Sequence, residues 1–209
     1  MRRVGDHLLL EKTIMLEMKK VSILLSLLLL ILLQQPLQAQ LQPRTPVLDT
    51  MPQIQWVTLE EALAKSAENP KKIMLDFYTE WCRWCERMDK TTFRHPAIVA
   101  FINKNFYPVK FDAEREDEIL FKEKKYTQKR AGKRAYHELA IEMLRGRMSF
   151  PSVVFLDEST NVIQCLVGFK TPDQLMQLVK YFAEDHYKET PWTSYCRRFQ
   201  AKGVFVDEE

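Results

Sequence analysis

Two cysteines, Cys82 and Cys85, stand three positions apart in the segment FYTEWCRWCERM, which covers residues 77–88. Sulfur side chains at this spacing can form a redox couple or half of a zinc site. A structural zinc site needs four ligands, usually arranged as two close pairs. The sequence has no second C-x-x-C and no H-x-x-x-H pair, and the other cysteines, Cys165 and Cys196, lie far apart in the chain. The residue types therefore favour disulfide chemistry over a bound metal.

The elements around the pair explain how it would react. The apolar run KIMLDFY at 72–78 is typical of a buried strand, although periodicity alone does not exclude a helix, and CRWCERMDKTTF after it has helical character. At the start of such a helix, unpaired amides and the helix dipole favour a thiolate on Cys82. Cys85 lies one turn further in. We therefore expect Cys82 to be the exposed nucleophile and Cys85 the resolving thiol.

Asp76 interrupts the apolar strand six residues before Cys82. A carboxylate buried there would have its pKa raised by desolvation, and it could accept the proton of Cys85 while a mixed disulfide is resolved. The alternative is an acid at the end of the strand that points into solvent.

The remaining pattern predicts an α/β protein with a central mixed sheet and helices on both faces. Strands are predicted at 72–78 and 106–112, and PSVVFLD and NVIQCLVG are predicted to form an antiparallel pair. Capping boxes at Thr58–Glu61 and Thr171–Gln174 each open a helix. Residues 113–135 are densely charged; ILFKEKKYT within them is compatible with a small hairpin, and YHELAIEMLRG after them predicts a helix that ends at Gly146.

Three motifs in this order resemble the thioredoxin-like superfamily: IMLDFYTEWCRWC, MSFPSVVFLD and VGFKTPDQL. The resemblance covers residues 54–186, and the W-C-x-W-C form looks most like secreted thioredoxin-like proteins related to the C-terminal domain of the disulfide-interchange protein DsbD. It implies a thioredoxin fold and supports the role of Asp76. It also implies a cis Phe150–Pro151 bond that faces the cysteines and leaves the backbone of Phe150 to pair with a substrate strand. The charged insertion before this proline departs from thioredoxins of ordinary length.

Three further residues flank the sulfurs. Trp81 and Trp84 can shape a peptide-binding surface or pack against the domain. A cation at Arg83 favours the thiolate of Cys82, which by itself makes the couple more oxidising, whereas Asp76, Glu80 and Glu86 act in the opposite direction. The direction of electron flow does not follow from these residues.

The N-terminal segment predicts export. Lys19-Lys20, the apolar run VSILLSLLLLILL at 21–33 and a small residue at Ala39 together form the pattern of a cleaved signal peptide. We expect a signal peptide at 1–39 with a natural start at Met18, a linker at 40–53, the domain at 54–186 and a tail at 187–209. An uncleaved membrane anchor is the alternative.

These features together predict a periplasmic or secreted thiol–disulfide oxidoreductase, monomeric and without a bound cofactor or metal. Its partners would be protein thiols and disulfides and a second redox protein that donates or accepts electrons. The alternatives are a redox-inert peptide-binding module of the same fold and a thiol-based metal carrier. A net charge of +3 does not support a nucleic-acid partner. A disulfide between Cys165 and Cys196 is a further option, provided that their Cα atoms lie within about 7 Å.

Overall fold

The computed structural model describes residues 15–21, 23–26 and 52–202. The chain divides into two compact units, Met1–Asp49 and Thr50–Glu209. The described residues of the first unit are helical. Most of the predicted signal peptide, its cleavage site and most of the linker lie outside the described residues. Within the described ranges, no helix combines the length and the apolar character needed to cross a membrane.

The second unit alternates helices and strands. Its elements in chain order are α1 (Leu59–Glu68), β1 (Ile73–Tyr78), α2 (Arg83–Lys90), a 3₁₀ turn (Thr92–Arg94), α3 (Pro96–Asn105), β2 (Tyr107–Asp112), β3 (Ile119–Phe121), β4 (Lys124–Tyr126), β5 (Gln128–Ala131), β6 (Arg134–His137), α4 (Glu138–Met143), β7 (Ser152–Leu156), β8 (Val162–Val167), α5 (Pro172–Ala183), α6 (His186–Glu189) and α7 (Trp192–Lys202).

The main sheet has the strand order β2-β1-β7-β8. Strand β1 runs parallel to β2 and antiparallel to β7, and β7 pairs antiparallel with β8. The predicted mixed sheet is therefore confirmed, with β1 at its centre. The predicted capping boxes are also present, with Thr58 at the start of α1 and Thr171 at the start of α5.

Side chains of β1 alternate between two apolar clusters, as the pleat of a strand requires. Ile73, Leu75 and Phe77 pack with residues of α1 and α4 on one face of the sheet. Met74 packs on the other face, with Met88 of α2 and with residues of α3 and α5. By this alternation, Asp76 lies on the same face as Met74, which is the face that α2 covers.

The charged insertion folds as two hairpins. The hairpin expected in ILFKEKKYT is confirmed as β3–β4, and the sequence did not predict the hairpin β5–β6 that follows it. The helix expected at YHELAIEMLRG begins only at Glu138, because Tyr136 and His137 complete β6. His137 caps that helix, with Nδ1 accepting from the amide of Leu139 at 3.3 Å.

The segment 187–209, which the sequence suggested to be a tail, contains most of α6 and the whole of α7. Tyr195 of α7 is 6% exposed, and its ring centroid lies 4.9 Å from that of Tyr181 on α5. An aromatic contact therefore joins this segment to the domain.

Candidate active site

Cys82 and Cys85 form a disulfide at the start of α2, with an S–S distance of 2.04 Å and a Cα–Cα distance of 5.3 Å. Cys82 is the N-cap of α2, and its Sγ accepts the amide hydrogen of Cys85 at 3.1 Å. The prediction that this pair opens a helix is confirmed. On reduction, the same amide and the helix dipole would stabilise a thiolate on Cys82.

The two sulfur residues differ less in exposure than expected. Cys82 is 7% exposed and Cys85 is 3% exposed, so Cys82 is the more accessible residue but is itself largely buried. The cap geometry explains this, because the Cys82 side chain turns back toward the helix and the Cys85 amide.

Asp76 is buried, with 1% of its surface exposed, so the alternative of a solvent-facing acid is wrong. Its Oδ2 accepts from Lys110 Nζ at 2.6 Å, and Oδ1 has no hydrogen-bond partner within the described part of the chain. Burial raises the pKa of Asp76 to about 6, even though Lys110 acts to lower it; the negative charge of Asp89 adds to the increase.

Lys110 was not identified from the sequence. It stands directly opposite Asp76 in the β1–β2 register, and its Nζ also contacts Asp89 of α2. Burial lowers the pKa of Lys110, but the two carboxylates outweigh this effect and raise it. The sequence does show a lysine inside the apolar strand YPVKFD. Linking that lysine to Asp76 would have required knowing that β1 and β2 pair in parallel and in which register.

The ammonium group of Lys110 also has aromatic neighbours. The rings of Trp56, Tyr78 and Phe93 have their centroids 5.1–5.4 Å from Nζ. These rings hold the charged lysine by cation–π attraction and limit its contact with water.

The Phe150–Pro151 peptide bond is cis, as the family resemblance implied. The ring of Phe150 lies between Trp81 and Tyr136, with centroid distances of 6.0 and 5.9 Å. The segment before β7 and the segment before α2 are thus joined by side-chain contact.

Trp81 both packs and remains exposed. Its ring is 47% exposed, and its Nε1 donates to Glu114 Oε2 at 2.9 Å. The guanidinium carbon of Arg134 lies 4.1 Å from the ring centroid, and Arg134 Nη1 pairs with Glu114 Oε1 at 3.2 Å. The charged insertion therefore contacts the residue immediately before Cys82.

Trp84 is 54% exposed and lies on α2. Its ring centroid is 5.6 Å from that of Phe169, and the Arg87 guanidinium lies over both rings at 5.2 and 5.6 Å. Arg83 is exposed and makes no ion pair with any other described residue.

The other two cysteines are free thiols, so the suggested disulfide between Cys165 and Cys196 is not present. They belong to different layers, with Cys165 on edge strand β8 and Cys196 on helix α7. In the described ranges, no group of three or more His, Cys, Asp and Glu side chains is arranged to hold a metal ion.

Three known proteins are similar to parts of this chain. The thiol:disulfide interchange protein DsbD of Vibrio vulnificus strain CMCP6 is 44% identical over 54 residues, a match that spans 26% of this chain and 9% of that protein. A thioredoxin-fold protein from Helicobacter pylori aligns over 64% of this chain and 82% of its own, with 17% identity and a TM-score of 0.48. The reduced C-terminal domain of DsbD from Neisseria meningitidis aligns over 58% of this chain and 91% of its own, with 19% identity and a TM-score of 0.40.

A family model described as the thioredoxin-like domain matches residues 59–183. This range begins at α1 and ends at the last residue of α5, so it contains the main sheet, the disulfide and the cis-proline. Because the model matches more than half of the sequence, the chain belongs to the thioredoxin-like family.

Proposed function

We propose that this protein is a thiol–disulfide oxidoreductase that exchanges disulfides with protein partners through Cys82 and Cys85 in an extracytoplasmic compartment. The observation that carries the proposal is the closed disulfide at the N-terminus of α2, above a strand that carries a buried carboxylate. The helix end favours the thiolate of Cys82, and Asp76 has a pKa near 6, close to the range in which it can exchange protons at neutral pH.

In the reducing direction, the thiolate of Cys82 attacks one sulfur of a substrate disulfide. A mixed disulfide forms between Cys82 and the substrate, and the second substrate sulfur leaves as a thiolate. Cys85 then transfers its proton to Asp76 and attacks Cys82 Sγ. This step closes the Cys82–Cys85 bond and releases the first substrate sulfur, so two electrons have passed to the substrate. The same steps in reverse oxidise a substrate dithiol.

The substrate is proposed to bind beside Pro151. No described residue forms a hydrogen bond with the backbone N–H or C=O of Phe150, which precedes the cis bond. These groups are available to pair with an extended substrate segment. Trp81 and Trp84, each next to one of the two cysteines in the sequence, offer half-exposed aromatic surface for such a segment.

Reduction of insulin by dithiothreitol, followed as precipitation of the B chain, tests this proposal. The protein should accelerate precipitation, and Cys82→Ser should abolish the acceleration. Reduced Cys85→Ser, freed of dithiothreitol before it is mixed with insulin, should accumulate a mixed disulfide visible by mass spectrometry. Cys165→Ser is the matched control and should behave as wild type. A redox-inert binding module would give the same rate with Cys82→Ser as with the original chain, and that result would reject the proposal.

The extracytoplasmic location is supported by the signal-like pattern that ends at Ala39. Expression with the native N-terminus should give a processed protein that begins at Gln40. Unprocessed protein in the cytosolic fraction would contradict the proposed location. It would not bear on the redox proposal, which the insulin assay tests separately.

A further inference from the structure

The hairpin β5–β6 lies against the residues that flank the disulfide. Arg134 and Tyr136 are two positions apart on β6, so their side chains lie on the same face of the hairpin. Tyr136 contacts Phe150, and Arg134 lies over the ring of Trp81. One face of this hairpin is therefore fixed to the residue before Cys82 and to the residue before Pro151.

The same hairpin carries a dense positive charge. Lys129, Arg130, Lys133 and Arg134 are all exposed, and the two-residue loop between the strands begins with Gly132 at a φ of 70°, a value that suits a tight hairpin turn. We call this feature, residues 128–137, the basic hairpin.

Two of these four charges are already compensated. Lys129 Nζ lies 3.7 Å from Glu138, and Arg134 pairs with Glu114. Arg130 and Lys133 make no ion pair within the described residues, so they give the basic hairpin its uncompensated charge. On the segment of the disulfide itself, the exposed side chains of Glu80 and Arg83 carry opposite charges and offset each other.

We propose that the basic hairpin is a docking surface for an acidic segment of the protein that exchanges its disulfide with Cys82 and Cys85. This inference rests on the proposed function, because it concerns the partner of the same site. Arg130 and Lys133 supply the attraction to carboxylates, and the contacts of Arg134 and Tyr136 hold the hairpin beside the site. Exposed charges of this kind act mainly on the rate of association and on its salt dependence.

Three observations favour a polypeptide over a nucleic acid as the partner. The chemistry of the site acts on sulfur, and the net charge of the chain is only +3. The half-exposed rings of Trp81 and Trp84 also offer apolar contact beside the charges, which suits a mixed peptide surface.

The test uses three synthetic peptides that contain the same disulfide loop and carry glutamates, glutamines or lysines beside it. The reduced full-length protein is mixed with each peptide, and the second-order rate of its oxidation is followed by stopped-flow fluorescence. At about 20 mM NaCl we expect the acidic peptide to react about tenfold faster than the neutral one, and at about 500 mM NaCl the ratio should approach one.

Arg130→Gln/Lys133→Gln should bring the ratio of acidic to neutral rates toward one at low salt. These two residues are chosen because neither contacts Trp81, whereas a change at Arg134 would also release that ring. The matched control is Lys65→Gln/Lys104→Gln, which removes equal charge from exposed positions near the ends of α1 and α3. These helices end just before β1 and β2 begin, whereas the disulfide follows the other end of β1. This variant should therefore keep the wild-type ratio of acidic to neutral rates.

The outcomes separate the two proposals. If no peptide oxidises the protein, the proposed function fails. If all three react at one rate at both salt concentrations, the function stands and the docking inference is overturned. The docking inference would also be overturned if Lys65→Gln/Lys104→Gln lowered the ratio of acidic to neutral rates as much as Arg130→Gln/Lys133→Gln does. The net charge of the protein would then explain the effect. Tighter binding of a short DNA duplex than of the acidic peptide, abolished by Arg130→Gln/Lys133→Gln, would overturn the assignment to a polypeptide.

Discussion

Lys110 Nζ lies 2.6 Å from the buried Oδ2 of Asp76 and at the same time contacts Oδ1 of Asp89. One lysine on β2 is thus shared by an acid on β1 and an acid on α2. Asp76 is completely enclosed, whereas Asp89 is 40% exposed at its side chain. The charge of Asp76 is therefore governed by burial, by a cation that favours it and by a second anion that disfavours it.

Asp76→Asn should stabilise the protein at neutral and alkaline pH. Burial raises the pKa of Asp76 from 3.8 to about 6, so the folded state holds the Asp76 proton more tightly than the unfolded state does. The stability that this proton contributes is fully present below about pH 4 and is lost as the pH rises through about 6. The shift from 3.8 to about 6 corresponds to at most about 3 kcal/mol.

Urea unfolding of both proteins across this pH range measures the effect of Asp76→Asn. The difference in unfolding free energy should be largest above about pH 7 and should vanish below about pH 4. A variant less stable than wild type at every pH would contradict this expectation. The same variant should slow turnover in the insulin assay at neutral pH if Asp76 accepts the proton of Cys85.

Asp89→Asn should lower the pKa of Asp76 from its value of about 6, because the negative charge of Asp89 helps to raise it. The carboxyl carbon of Asp76 can be followed by NMR during a pH titration, with Asp76→Asn to assign the signal. Glu86→Gln is the matched control, since Glu86 is an exposed acid on the same helix that pairs with Lys90. A titration midpoint that is unchanged or higher in Asp89→Asn would exclude this coupling.

Much of the site follows from local sequence. An apolar run bounded by Tyr78 and a cysteine pair predicts the strand and the helix that position Cys82 and Cys85. Asp76 is conspicuous in the sequence because a carboxylate inside an apolar strand is costly to bury, so it is expected to have a partner or a function. Lys110 is different, since its role depends on which strand lies beside β1 and in which register. That information comes from pairing across the sheet and is absent from any single segment.

Two other elements were missed for physical reasons. The strands of the basic hairpin contain many charged residues, and only Tyr136 and His137 of β6 are buried, so no clear alternation marks them. Helix α7 carries aromatic residues at Trp192, Tyr195 and Phe199, which are spaced for one helical face. That spacing was available, but the charged residues between them make the segment resemble a solvated tail.

The number of free thiols should distinguish the two pairs of cysteines. In the oxidised protein, denatured without reductant, alkylation should modify Cys165 and Cys196 and spare Cys82 and Cys85, so mass spectrometry should find two labels. Burial raises the pKa of both free thiols, so labelling of the native protein near neutral pH should be slower than after denaturation. Prior reduction should give four labels, and an oxidised protein with none would show that Cys165 and Cys196 are paired.

Tyr195→Ala should destabilise the domain, although Tyr195 lies beyond the residues that match the family model. Its ring is 6% exposed, and it packs against Tyr181 of α5 and stacks on Trp192, with centroid distances of 4.9 and 5.8 Å. Removing a buried aromatic ring costs about 3 kcal/mol, because the lost contacts leave a cavity that closes only in part. Arg197→Ala, at an exposed position of the same helix, is the control and should change the unfolding free energy by less than about 0.5 kcal/mol. Chemical denaturation measures both variants. If α7 were only a tail, the two would be equally stable, whereas a loss confined to Tyr195→Ala would show that the cooperative unit extends through this helix.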